Sequence, residues 1–150
     1  MNSTALQGSI LLLLATAASS CAAFGAKATP LELTRQADMA YAQGDYDMAE
    51  KYYSELVARG NISYESTFKL GNIYSRSRRL EKAAQMYQKT LTKNPDFAPA
   101  WRNMAVVRLL QGMAMLVESQ KRLPESDPLF ASNQKIIEEL SSVKILREDK

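Results

Sequence analysis

The side chain with the most distinctive chemistry in this 150-residue chain is its single cysteine, Cys21. One cysteine cannot form a disulfide within the chain, and the lack of histidine removes the usual zinc sites and the Ser-His and Cys-His catalytic arrangements. Chemistry that needs only carboxylates stays open, but no cluster of nucleophile, base and orienting group stands out. We therefore expect a protein that is not an enzyme and that needs no cofactor.

The acidic residues Asp45 and Asp47 are the other candidates for chemistry, because closely spaced carboxylates can bind a metal ion. They follow Gly44 at a turn between two helices, where Asp45 is placed to cap the second helix and Tyr46 to pack. A helix cap accounts for these residues, so the sequence predicts no metal site.

The balance of charge argues against nucleic acid as a partner. The formal net charge is +3, and the Lys and Arg residues are scattered among Asp and Glu instead of forming a block. No motif for a small-molecule substrate stands out either.

The first twenty residues differ in kind from the rest, with an apolar stretch from Ile10 to Ala18 and then Ser19 and Ser20. This stretch is too short to span a bilayer, so residues 1–20 are predicted to be an export signal. Small residues directly before Cys21 resemble the bacterial lipobox. The resemblance implies a covalent lipid on Cys21, a linker over residues 21–29 and, since Ala22 is not Asp, the periplasmic face of the outer membrane.

A conventional signal peptide, cut after Ala22 or Ala23, also fits the N-terminus. The residue three before the cysteine is Ala18, where the lipobox most often has Leu, and no Lys or Arg precedes the apolar stretch. Such a cut would remove Cys21 and leave a soluble periplasmic protein. The two interpretations predict different locations for the same folded part.

A period of 34 residues organises the rest of the chain, and it aligns the segments 30–63, 64–97 and 98–131. Small residues recur where helices must approach closely, and large ones recur in the complementary places. The equivalent residues are Ala37, Gly71 and Ala105; Ala49, Ala83 and Val117; the turn residues Gly44, Arg78 and Gly112; and the aromatic residues Tyr53 and Tyr87.

The stretches AYAQGDYDMAEKYY, KLGNIYSRSRRLEKAAQMYQKTLTKNP and AWRNMAVVRLLQG resemble the tetratricopeptide repeat family. The resemblance implies an all-α fold, a short right-handed superhelix of about three helical hairpins. Val117 and Lys121 replace the usual small and aromatic residues in the second helix of the third segment.

Residues 127–146 form a predicted capping helix, with Asp127 as its cap and Leu129, Ile136, Leu140 and Val143 on one apolar stripe.

In that family the first helix of each repeat lines a concave groove, which implies a partner-binding site here. Its apolar members either face a partner or are core residues covered by the C-terminal helix. The implied groove residues are Thr34, Asp38, Tyr41, Phe68, Lys69, Asn72, Ser75, Arg102, Val106 and Leu109.

A lipobox followed by a short repeat stack resembles the small outer-membrane lipoproteins of bacterial pilus and secretion systems. These include the pilotins, which escort secretin subunits, and the repeat lipoprotein of the tight-adherence (Tad) pilus. The resemblance implies a non-catalytic, membrane-tethered assembly factor whose partner is a secretin or pilus subunit. The alternative is a general envelope scaffold for cell-wall or outer-membrane assembly enzymes.

Overall fold

A computed structural model describes residues 28–142, which form six α-helices and no strand. The predicted signal peptide, Cys21 and most of the linker lie outside the described residues, as do residues 143–146 of the predicted capping helix. The helices are α1 (Pro30–Ala42), α2 (Tyr46–Ala58), α3 (Tyr64–Arg76), α4 (Leu80–Lys93), α5 (Ala98–Gln120) and α6 (Pro128–Ser142). The predicted all-α repeat superhelix with a capping helix is confirmed.

Polar side chains fix where the first three helices begin. The hydroxyl of Thr29 accepts a hydrogen bond from the backbone N–H of Glu32 at 3.2 Å, with Pro30 as the first residue of α1. Asp45 and Ser63 cap α2 and α3 in the same way. Each cap satisfies a backbone donor that the first turn of a helix leaves unpaired.

Helices α1 and α3 end in equivalent tight turns. The residue after each C-cap has a positive φ, +77° at Gly44 and +57° at Arg78. The next N–H then reaches back across the turn, from Asp45 to the carbonyl of Ala40 and from Arg79 to that of Tyr74. These turns reverse the chain within two or three residues, so α1–α2 and α3–α4 are closed hairpins.

The core is formed mainly by these two hairpins, with Val107 of α5 added to it, and it explains the recurring small and large residues. Ala37, Ala49 and Ala83 are completely buried, as is the ring of Tyr53. A Cβ atom built on Gly71 would lie 2.6 Å from the ring of Tyr87, a distance that real side chains do not tolerate. The absence of a side chain at this position is therefore what lets α4 close on α3.

The third segment does not contain the predicted turn at Gly112. Helix α5 runs without a break for 23 residues, through Gly112 to Gln120. Keeping a glycine inside a helix costs only about 1 kcal/mol. A turn at Gly112 would form only if the packing of a separate second helix stabilised the protein by more than the alternative of one long helix. The residues equivalent to buried Ala84, Tyr87 and Leu91 of α4 are charged and cannot pack. Those equivalents are Glu118, Lys121 and Glu125.

Helix α6 folds back on α5 and caps the stack, but not through the predicted apolar stripe. Its one buried residue is Asn133, whose amide donates to the hydroxyl of Ser119 at 3.3 Å. Leu129 and Ile136 stay 60% and 40% exposed, and Leu140 is half-buried. The described part of α6 therefore buries little apolar surface. None of the helices between residues 28 and 142 has both the length and the hydropathy to cross a bilayer.

Replacing Arg78 with glycine should stabilise the protein by up to about 1 kcal/mol. The substitution relieves the left-handed backbone of a residue with a Cβ, and the greater freedom of glycine in the unfolded chain offsets part of the gain. The reciprocal variant Gly44→Ala should destabilise by about 1 kcal/mol, since nothing but backbone strain opposes a side chain there. Urea unfolding of both variants measures these changes in stability. A lower free energy of unfolding for Arg78→Gly would contradict the conclusion that the backbone of Arg78 is strained.

Candidate protein-interaction groove

The first helices of the repeats are joined by polar side chains along one face. The ammonium group of Lys69 donates to Oδ1 of Asp38 at 2.8 Å, which links α3 to α1. The amide of Asn72 donates to the Tyr41 hydroxyl at 3.3 Å and accepts a hydrogen bond from the amide of Asn103 at 2.9 Å. The row of bonds therefore runs from α1 through α3 to α5.

Two buried tyrosines support this row from the second helices. The hydroxyl of Tyr53 donates to Asp38, and that of Tyr87 donates to Asn72 at 2.8 Å. Donor and acceptor are separated by 15 residues in both pairs, so the contact recurs in successive repeats. Burial raises the pKa of Tyr87 to about 12 and also raises the pKa of Tyr53, so both hydroxyls stay protonated at neutral pH.

Asp38 is the one carboxylate in this row of bonds, and it is ionised. Partial burial raises its pKa, but the hydrogen bonds from Lys69 and Tyr53, together with the charge of Lys69, outweigh that effect and hold the pKa below its usual value. The Lys69 charge is therefore balanced within the protein. The α1–α3 part of the groove presents polar groups with little net charge.

The sequence-predicted groove residues divide into engaged and open positions. Thr34 donates to the carbonyl of Pro30 at 2.9 Å, and the Tyr41 ring contacts Tyr46 edge-on. Ser75 is half-buried. Arg102 is exposed and has one long hydrogen bond, 3.4 Å, to the side chain of its neighbour Asn103. Of these, Arg102 is the side chain most open to a partner.

Phe68 belongs to an aromatic cluster that covers part of its ring. It is half-buried, with its ring centroid 5.0 Å from that of Phe97 and 5.9 Å from that of Tyr87. Tyr64 also packs edge-on against Phe97. One interpretation of the sequence was that the C-terminal helix covers Phe68. In the structure the ring that packs on Phe68 is instead Phe97, just before α5.

The remaining apolar candidates lie on α5. Val106 is half-buried, whereas Leu109 is 42% exposed and lies beside a cleft between α5 and α6. The cleft has a volume of about 730 Å³ and a nearly all-apolar lining. Its lining residues are Ala105, Arg108, Leu109, Gly112, Met115, Leu116 and Leu140.

Sequence reasoning missed Asn103, the tyrosine hydroxyls as donors, and the cleft itself. Tyr53 and Tyr87 stand 34 residues apart, as do their acceptors Asp38 and Asn72, so the recurring pair was visible in the repeat alignment. The cleft was hidden because a turn was expected at Gly112. Within residues 28–142, no group of acidic and cysteine side chains is arranged to hold a metal ion.

The tetratricopeptide repeat model matches residues 34–98 and again residues 68–112. Together the two matches span just over half of the 150 residues. The chain belongs to the tetratricopeptide repeat family. The comparison with curated proteins found no match, and neither did the comparison with solved structures.

Membership fixes the general kind of activity. The tetratricopeptide repeat is in general a non-catalytic fold that binds other proteins, so this chain is a protein–protein interaction module. The matched region contains most of α1, all of α2 to α4 and about two thirds of α5, and so includes the whole row of polar contacts from Asp38 to Asn103. The groove therefore lies in the part of the chain that carries the family pattern.

Replacing Asn72 with alanine should lower the free energy of unfolding by about 1–3 kcal/mol. The change leaves the buried Tyr87 hydroxyl without its acceptor and removes the bonds to Tyr41 and Asn103. Asn61→Ala is the matched control, because that side chain is exposed and bonds only a neighbouring carbonyl. Equal denaturant midpoints for the two variants would show that the polar row contributes nothing to stability.

Proposed function

We propose that this chain is an assembly factor tethered by a lipid on Cys21 to the periplasmic face of the outer membrane. In this role it holds a segment of a secretin, as pilotins do, during assembly of a pilus or secretion system of the Tad type. A tethered groove would keep the segment from aggregating and deliver it to the right bilayer. The covalent lipid is the only added group that this function requires.

The observation that carries the proposal is that side chains of the groove wall are already held in place by hydrogen bonds. Side chains on α1, α3 and α5 are already bonded to one another, so a bound segment would meet a surface that needs little rearrangement. Arg102 offers an exposed cation at the α5 end, beside the bonded amide of Asn103. The groove can thus combine neutral polar contacts with one charged contact.

A contact near the start of α1 supports a short tether. The guanidinium of Arg59, on the residue after α2, donates to the carbonyl of Ala28 at 2.5 Å. This bond fixes where the chain enters α1. The seven steps from Cys21 to Ala28 can reach at most about 24 Å when fully extended, so the groove would stay near the membrane surface. Each buried methylene of the acyl chains would contribute about 0.8 kcal/mol to anchoring.

Replacing Cys21 with serine should move the protein out of the outer-membrane fraction, because serine cannot carry the thioether-linked lipid. Sucrose-gradient fractionation of envelopes, followed by blotting, measures the shift. The control Ala26→Ser keeps the cysteine and should fractionate like the wild type. A Cys21→Ser variant that stays in the outer-membrane fraction would reject the lipid anchor and leave the soluble periplasmic alternative.

Cross-linked purification from native envelopes through a C-terminal tag should recover a secretin or pilus subunit. Arg102→Glu should reduce that recovery about tenfold by reversing the exposed groove charge, since close charge pairs at an interface are worth 1 kcal/mol or more. Lys89→Glu, an exposed change on α4, should leave recovery unchanged. Recovery of only cell-wall enzymes or barrel-assembly components would move the assignment to a general envelope scaffold.

A further inference from the structure

The cleft between α5 and α6 lies where a second helix would pack if the third repeat were complete. Three positions on the first helix of each repeat show this, because they are buried in the first two repeats and exposed in the third. The equivalent residues are Leu33, Thr67 and Trp101; Ala37, Gly71 and Ala105; and Ala40, Tyr74 and Arg108. At the first position the exposed fractions are 2%, 0% and 52%.

The first two repeats show what normally covers these positions. The second helix of each presents an alanine and, four residues later, a tyrosine: Ala49 with Tyr53, and Ala83 with Tyr87. All four residues are at most 1% exposed. Ala37, an alanine like its equivalent Ala105, is completely buried in the first hairpin, where α1 packs on α2. A helix with a small residue followed by an aromatic residue is therefore the shape that this kind of surface accepts.

Helix α6 does not fill this place. Its buried residue Asn133 contacts Ser119, three residues beyond Leu116, the last residue of α5 that lines the cleft. Leu140 is its one contribution to the cleft lining. The remaining wall comes from α5, where Met115 is 69% exposed and Leu109 42% exposed. The cleft, called the slot below, is thus a shallow apolar depression that is largely open to solvent.

We propose that this slot binds an amphipathic helix of a partner protein, which presents a small residue and an aromatic residue four positions later and so completes the third repeat. The inference rests on the proposed function as an assembly factor and deepens it, since it names the kind of segment that the assembly factor holds. The partner helix takes the place that α2 and α4 take in the first two repeats.

The charge of the cleft lining indicates one more property of the partner helix. Arg108 is the one charged residue lining the cleft, and it bonds to Gln111 at 3.0 Å. Among residues 28–142 no carboxylate forms an ion pair with it. An acidic residue at the edge of the incoming helix would therefore find an unpaired cation. A second copy of this chain is a poorer fit, because its own alanine–tyrosine faces are buried in its core.

The test uses a synthetic peptide with the sequence of residues 46–58, the second helix of the first repeat, because the residue equivalent to Ala105 in that repeat is also an alanine, Ala37. Trp101 is the only tryptophan of the chain and lies half-exposed on the surface to be covered, so its emission reports binding. We expect a saturable blue shift when the peptide is titrated into the full-length protein. A peptide carrying Tyr53→Ala should bind at least about tenfold more weakly.

Two lysine variants of the protein locate the binding site. Ala105→Lys should abolish the shift by placing a charge in the slot, whereas Ala131→Lys, at an exposed alanine of α6, should leave it intact. An absent shift, or one that survives in Ala105→Lys, overturns the proposal. So does a free protein that sediments as a dimer with Trp101 already buried, since a second copy would then occupy the slot.

The outcome separates this inference from the proposed function. The peptide assay contains no secretin and no membrane, so it depends only on the slot. Peptide binding that disappears in Ala105→Lys supports the inference even if envelope purification recovers no secretin. Recovery of a secretin by a protein whose Trp101 never responds to the peptide overturns the inference and leaves the proposed function standing.

Discussion

The fit of an aromatic ring onto a position without a side chain is the contact on which this structure depends. Tyr87 lies so close to Gly71 that a single added carbon atom would collide with it. The close approach of α3 and α4 that results brings the Tyr87 hydroxyl to Asn72, and Asn72 in turn joins Tyr41 and Asn103. One steric constraint inside a hairpin therefore sets the polar order of the groove outside it.

The third segment shows what happens without that contact. Lys121 stands where a tyrosine would have to pack, and no second helix closes on Ala105. The chain instead continues α5 through Gly112 and returns later as α6, whose buried centre is the polar residue Asn133. The consequence is an asymmetric molecule, with a well-packed half built from α1 to α4 and a half that keeps apolar surface exposed.

Much of this architecture could be predicted from the sequence, because the residues that determine how the two helices of a repeat pack recur at a fixed spacing. The small residues at Ala37 and Gly71 and the aromatic residues at Tyr53 and Tyr87 were sufficient to place two hairpins. The turn at Gly112 was predicted wrongly, because a glycine marks a turn only when the following residues can pack as a separate helix. Contacts that join different repeats, such as that between Asn72 and Asn103, depend on the superhelix and were not visible in any one segment.

The bond between Arg59 and the carbonyl of Ala28 bears on how the protein would carry mechanical load. A pull on the chain before Ala28 acts first on that carbonyl, which is held by a side chain at the end of α2. Arg59 also pairs with Glu55 on α2. The force would therefore enter both helices of the first hairpin together, and α1 would resist being peeled away from its N-terminal end.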